Sequence, residues 1–120
     1  MLECCCLEED IKLLEKGDET VVGERGMTLS GGQKARLSLG RALYSDADIY
    51  LLDDPLSAVD AKVGRKIYEQ LCEHFVGRKT ILLVTHQTHF LTNCDEVIRL
   101  EDGEIKEVME SSMIRMKFGE

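Results

Sequence analysis

The sequence predicts an α/β fold in which helices flank a parallel sheet. Three observations carry that expectation. Two apolar runs, Ile49-Tyr50-Leu51-Leu52 and Ile81-Leu82-Leu83-Val84, have strand length and no alternation, the pattern of strands covered on both faces. Each follows a stretch with helical periodicity, so helix and strand alternate along the chain. Towards the carboxyl end, Asp102-Gly103 separates two short strand-like segments, a hairpin signal of the type I′ kind.

The elements follow in order. Residues 2–15 read as a helix, with Cys4, Leu7, Ile11 and Leu14 on one face and Glu8, Glu9, Asp10 and Lys12 outward. Gly17-Asp18 ends it, and residues 17–29 form an irregular loop that turns at Gly23 and Gly26. Ser30 stands where a helix N-cap would, with Gly31-Gly32-Gln33 as the first turn. Ala35, Leu39, Ala42 and Leu43 make that helix's apolar stripe, Arg36 and Arg41 lie off it, and it stops near Ser45-Asp46. Asp53-Asp54-Pro55 end the first strand. Asp60 caps a second helix whose Val63, Ile67, Leu71 and Phe75 face inward, and Gly77 ends it. Thr80 to Val84 is the second strand, followed by Thr85-His86 and a short helix near 88–92. The hairpin pairs residues 97–101 with 104–108, and residues 109–120 are a helical or frayed tail.

Composition narrows the function classes. The 120 residues carry 23 acids and 15 bases, a net charge of −8, which argues against a binder of nucleic-acid backbones. No apolar run approaches the roughly 18 residues that span a bilayer, and Met1-Leu2-Glu3-Cys4 lacks the regions of a signal peptide. Five cysteines without a C-x-x-C pair fit a reducing compartment better than a zinc site or a disulfide framework. Cys4-Cys5-Cys6 reads as small residues on a helix rather than a metal or lipid-attachment site, and Met109, Met113 and Met116 read as an apolar stripe.

Three stretches carry chemistry. In Leu29-Ser30-Gly31-Gly32-Gln33, glycines without a Cβ let backbone amides approach an anion, the helix dipole adds positive charge, and Ser30 and Gln33 add side-chain donors. Taken alone, the same residues also describe an ordinary capped helix. In Ile49 to Asp54 an apolar strand delivers two acids at its carboxyl end, where open α/β sheets bind ligands. The first acid suits Mg²⁺ and the second suits a general base, although two acids in a solvated turn fit equally well in isolation. Thr85-His86 ends the second strand, where an imidazole can donate to a terminal phosphate or serve only the structure. His74 and His89 have weaker context.

Taken in order, Leu29 to Gln33, Leu51-Leu52-Asp53-Asp54-Pro55-Leu56-Ser57-Ala58-Val59-Asp60 and Val84-Thr85-His86 closely resemble the ATP-binding-cassette (ABC) ATPases. With Gly23-Glu24-Arg25-Gly26 added, the chain resembles the first nucleotide-binding domain of a subfamily C (multidrug-resistance-associated) exporter over roughly residues 2–110. The resemblance implies a partial P-loop NTPase fold. Residues 1–45 would be the end of the helical subdomain with the signature and its helix, 46–110 the Walker B, D-loop and switch-histidine part of the core, and 111–120 a tail. It implies nucleotide contacts from Ser30, Gly31, Gly32, Gln33 and Asp60, Mg²⁺ at Asp53, a catalytic-base position at Asp54 and the switch histidine at His86. ATP and Mg²⁺ are the implied cofactors. A second nucleotide-binding domain, paired head to tail, and the parent's transmembrane domains are the implied partners; nucleic acid is not. The implied location is the cytosolic face of a membrane, reached through the parent, which would export organic anions or drugs.

Two departures qualify the expectation. The P-loop, G-x-x-x-x-G-K-[ST], is absent; Gly77-Arg78-Lys79-Thr80 imitates its end, but Arg78 takes the second glycine's place and position 73 holds no glycine. The Q-loop segment has no match either, so the chain resembles only the carboxyl-terminal half of the domain. Most contacts to the β- and γ-phosphates are then missing, and the chain alone is expected to bind ATP weakly and hydrolyse none. Asp54 also stands where the family's usual base is Glu, and a reach shorter by about 1 Å can cost about 10²-fold in rate. The alternatives are a non-enzymatic truncated fragment that only pairs with a partner domain, or a cassette ATPase of DNA repair or chromosome structure. The acidic balance and Gln33 speak against the latter.

Overall fold

Two strands, two long helices and a hairpin account for most of the ordered backbone. The computed structural model describes residues 1–23 and 29–119. The chain divides into two units, Met1–Val84 and Thr85–Glu120, each with its own core.

In the first unit, α1 (Glu8–Leu13), α2 (Gly31–Tyr44), β1 (Ile49–Asp53), α3 (Ala61–Phe75) and β2 (Thr80–Val84) follow in sequence. β1 and β2 pair in parallel, Ile49 opposite Thr80 and Asp53 opposite Val84, with α3 as the crossover. Tyr50 and Leu52 are buried on one face of this pair. The Tyr50 ring meets Phe75 of α3 edge-on, at 5.6 Å between centroids and 72° between planes, and its hydroxyl donates to the Leu43 carbonyl of α2 at 3.3 Å. A buried tyrosine thus satisfies its polar end while anchoring both helices. Leu39, Leu43, Ile67, Tyr68, Leu71 and Phe75 complete the core, and Ala42, expected inside, is exposed.

The expectation of two covered faces is corrected. Ile49 is 62% exposed, Leu51 74%, Leu82 55% and Val84 50%; in the parallel register these four occupy the face opposite Tyr50 and Leu52. An unbroken apolar run signals two apolar surroundings, and the described residues supply one.

The helix expected over 2–15 is also corrected. Residues 1–5 make a single turn closed by Cys6 N–H to Glu3 O at 2.9 Å and Leu7 N–H to Leu2 O at 2.9 Å, with Cys6 left-handed at φ 53°. That is a Schellman closure with cysteine where glycine is usual, and α1 starts only after it. Cys4, Cys5 and Leu7 of this turn are buried. Asp10, expected outward, faces α2 instead. Gly17–Glu19 form a 3₁₀ turn, and the turn expected at Gly26, with Glu24 and Arg25 beside it, lies outside the described residues.

Gly77 reverses the chain at φ 76° and Thr80 opens β2, so the P-loop imitation is a turn entering a strand. Lys79 of that turn pairs with Asp46 at 3.1 Å and Asp48 at 3.4 Å, which brings the turn up to the loop before β1.

In the second unit, a 3₁₀ segment over Thr88–Asn93 precedes β3 (Glu96–Glu101), β4 (Glu104–Glu110) and α4 (Ser111–Phe118). The short helix expected near 88–92 is a 3₁₀ segment, with buried Phe90 as its inward residue. Asp102 and Gly103 sit at φ 52° and 77°, the two left-handed positions a type I′ turn requires. Arg99 faces Glu107 and Leu100 faces Ile105, so the bulge leaves Lys106 as the extra residue. Phe90, Met109 and Ile114 form the small core, and the tail is the helix α4.

Candidate functional site

Ser30 caps α2 with extended backbone, φ −68° and ψ 163°, and closes a reciprocal capping box. The Gln33 N–H donates to Ser30 Oγ at 3.1 Å, and the Ser30 N–H donates to Gln33 Oε1 at 2.8 Å. The first amides of a helix have no acceptor within it. With Gln33 N–H taken by Ser30, those of Gly31 and Gly32 remain at the positive end of the helix. Apart from its chain neighbours and its own helix backbone, nothing lies within 4 Å of a Cβ built on Gly31, so this side of the helix start is open.

Gln33 is engaged within the chain. Its Nε2 donates to Asp10 Oδ1 at 2.8 Å, and Arg36 Nη1 donates to Asp10 Oδ2 at 2.6 Å and to the Cys6 carbonyl. The Arg36 hydrogen bond, opposed in part by burial and aided by Gln33, holds the Asp10 carboxyl below its ordinary 3.8. Asp10 and Arg36 are functional candidates that periodicity missed: one was read as solvated and the other as lying off the stripe. Only their opposite charges hinted at a pairing.

Asp53 is the last residue of β1 and is exposed. Asp54 follows in the left-handed region at φ 44°, a conformation that aspartate tolerates better than most residues. Its N–H donates to the Val84 carbonyl at 2.9 Å, extending the ladder one step beyond the strand. Its carbonyl accepts from Ser57 N–H at 3.3 Å and Ser57 Oγ at 3.0 Å, closing a turn pinned by buried Leu56. Asp60 caps α3, its Oδ1 accepting from the N–H groups of Lys62 and Val63 at 3.1 Å each.

The helix start and this turn are neighbours: a Cβ on Gly32 would stand 3.1 Å from the Ala58 carbonyl oxygen. Ser30 to Gln33, Asp53, Asp54 and Asp60 therefore all belong to the first unit, with two of their elements in direct contact. His86 belongs to the second unit, exposed just beyond β2.

Among the described residues, no three His, Cys, Asp or Glu side chains cluster as a metal site. Mg²⁺ in nucleotide sites takes one or two carboxylates and fills its shell with water and phosphate oxygens. Exposed Asp53 at a strand's carboxyl end fits that sparse requirement. Among the same residues, no helix is long and apolar enough to cross a membrane.

Residues 6–57 match the family model described as ABC transporter. The chain is 51% identical over 105 residues to ABC transporter C family MRP4 of Zea mays, covering 88% of this chain and 7% of that protein. It is 52% identical over 105 residues to ATP-binding cassette sub-family C member 4 of Homo sapiens, covering 88% of this chain and 8% of that protein. It is 51% identical over 110 residues to ABC transporter C family member 8 of Dictyostelium discoideum, covering 89% and 7%. The chain thus spans 7% to 8% of the length of these curated relatives. Identity near one half, sustained along almost nine-tenths of the sequence, decides the matter: the chain carries an ABC transporter domain and is homologous to a segment of the subfamily C, multidrug-resistance-associated transporters.

Proposed function

We propose that the chain is the signature and Walker B portion of an ABC nucleotide-binding domain, the carboxyl-terminal half that lacks the P-loop. In this reading residues 1–45 end the helical subdomain, 46–110 belong to the ATPase core and 111–120 are a tail. The parent couples ATP binding and hydrolysis to export of organic anions or drugs, and the chain lies at the cytosolic face of a membrane through the parent's transmembrane domains. The observation that carries the reading is the packing of Gly32 against Ala58, which brings the anion-ready start of α2 to the turn that follows the two acids.

The chain's own residues divide the work. Ser30 and the amides of Gly31 and Gly32 meet the phosphates of a nucleotide held by a second, head-to-tail domain. Gln33 acts mainly by keeping that helix start in shape, since both ends of its amide are occupied. Asp53 would hold Mg²⁺, and Asp54 would polarise the attacking water. His86 donates to a terminal phosphate oxygen, and Asp60 holds the turn that faces the partner. When bound, ATP would supply the phosphoryl group and Mg²⁺ would neutralise charge on the phosphate oxygens.

A second reading, a non-enzymatic fragment that only pairs with a partner domain, draws on the uncovered face of Ile49, Leu51, Leu82 and Val84. Equilibrium binding of Mg-ATP to the purified chain, with and without a second nucleotide-binding domain, tests the main proposal. Weak or no binding alone and tight ternary binding are expected. Micromolar affinity and Mg²⁺-dependent turnover by the chain alone would refute it. Far-UV circular dichroism and a melting curve separate the two readings, because a fragment that needs its partner shows no cooperative transition alone.

A further inference from the structure

The Gln33 amide has two ends that a rotation by half a turn would exchange. Its oxygen receives the Ser30 N–H at 2.8 Å and its nitrogen gives a hydrogen to Asp10 at 2.8 Å. The Ser30 end alone makes the cap; the Asp10 end decides which way round the amide sits, because a carboxylate oxygen accepts and cannot donate. Turned the other way, Gln33 would set its NH₂ against the Ser30 N–H and its oxygen against a negative charge. Asp10 is itself fixed. Its second oxygen holds Arg36 at 2.6 Å, and Arg36 spans to the Cys6 carbonyl in the turn before α1. The side chains of Arg36 and Asp10 are 13% and 24% exposed, so water competes little for this pair.

We propose that Asp10 is a positioning residue for the start of α2: clamped by Arg36, it sets the orientation of Gln33 so that Gln33 caps Ser30 and the Gly31 and Gly32 amides stay open to an anion. The part about the anion rests on the function proposed above; the part about Gln33 does not. Asp10 touches no reacting group. It acts through Gln33, and it links the segment before the loop to the helix after it.

Nuclear magnetic resonance on the full chain reads the orientation directly. In the unmodified protein the Gln33 side-chain amide protons exchange at least about tenfold more slowly than those of Gln87, the scale set by one charge-assisted hydrogen bond. Asp10→Ala brings Gln33 to the Gln87 rate and speeds exchange of the Ser30 and Gln33 backbone amides, while Leu39 and Leu43 keep theirs. Asp10→Asn, which retains an acceptor, restores part of the protection, and Glu9→Ala changes nothing. Free-amide exchange at Gln33 in the unmodified chain overturns the proposal even if no variant folds. An even loss of protection along α2 in Asp10→Ala also overturns it, since that is a merely structural role. Binding to a second nucleotide-binding domain loaded with Mg-ATP then weakens about tenfold in Asp10→Ala. If the unmodified chain fails to bind that domain, the proposed function fails, and the exchange data still decide the role of Asp10.

Discussion

Gly32 and Ala58 approach so closely that a side chain on the glycine would begin 3.1 Å from the alanine's carbonyl oxygen. Its neighbour Gly31 faces open space at the same helix start. The two glycines therefore answer differently to one added methyl. Alanine in place of glycine in a helical conformation gains about 0.4–1 kcal/mol by restricting the unfolded chain. Gly31→Ala is expected to show that gain in urea denaturation. Gly32→Ala is expected to fall below it, because the 55–60 turn must yield by a few tenths of an ångström. Equal gains would mean that the turn moves freely from α2.

The Asp10 carboxylate makes acid stability a readout of its network. Hydrogen bonding from Arg36 places its folded pKa below the ordinary 3.8. The stabilisation is therefore complete above the unfolded value and is lost as pH falls through the folded one. Asp10→Asn removes the titrating group, so its stability should fall less steeply than the wild type's between about pH 5 and about pH 2. Urea melts across that range measure the difference, and parallel curves would count against the pairing.

Asp60 answers to two amides at once. Asp60→Ala is expected to lower stability by about 1 kcal/mol, and Asp60→Asn by only a fraction of that. A thermal melt of each variant suffices. The result also separates the capping role of Asp60 from any role at a partner's nucleotide, which would appear only in ternary binding.

The bare face of β1 and β2 predicts association. Ile49, Leu51, Leu82 and Val84 form an apolar row on a two-stranded sheet. The chain is expected to self-associate with rising concentration in sedimentation velocity. Leu51→Thr with Leu82→Thr should shift it toward monomer while changing the unfolding free energy by no more than about 0.5 kcal/mol per site. Unchanged association would place the sticky surface elsewhere.

Much of this molecule was legible in its residues. Ser30 and Asp60 announced two helix starts because a short polar side chain before an apolar stripe has one good use. Asp102-Gly103 announced the hairpin because few other pairs adopt two left-handed conformations in a row. The placement of Asp53 and Asp54 at the carboxyl end of β1 followed from an apolar run ending in acids. Three things stayed hidden, each for its own reason: a partner distant in sequence, a local left-handed turn, and a covering layer that the described residues do not supply. Asp10 looked solvated because its periodicity cannot reveal Arg36. Cys6 looked helical because nothing in a cysteine forecasts a left-handed turn. Leu51 looked buried because the row to which it belongs asks for a layer that the described residues do not contain.

The parallel pairing of β1 with β2 also sets a timetable. A hairpin such as β3–β4 closes through a two-residue turn within microseconds, whereas β1 must wait until all of α3 and Thr80–Val84 have been made. On a ribosome, the acid-bearing strand is thus synthesised first and finds its neighbour late. During that interval Tyr50 and Leu52, buried in the finished fold, lack the neighbours that cover them, and transiently exposed apolar surface of this kind invites chaperones and aggregation.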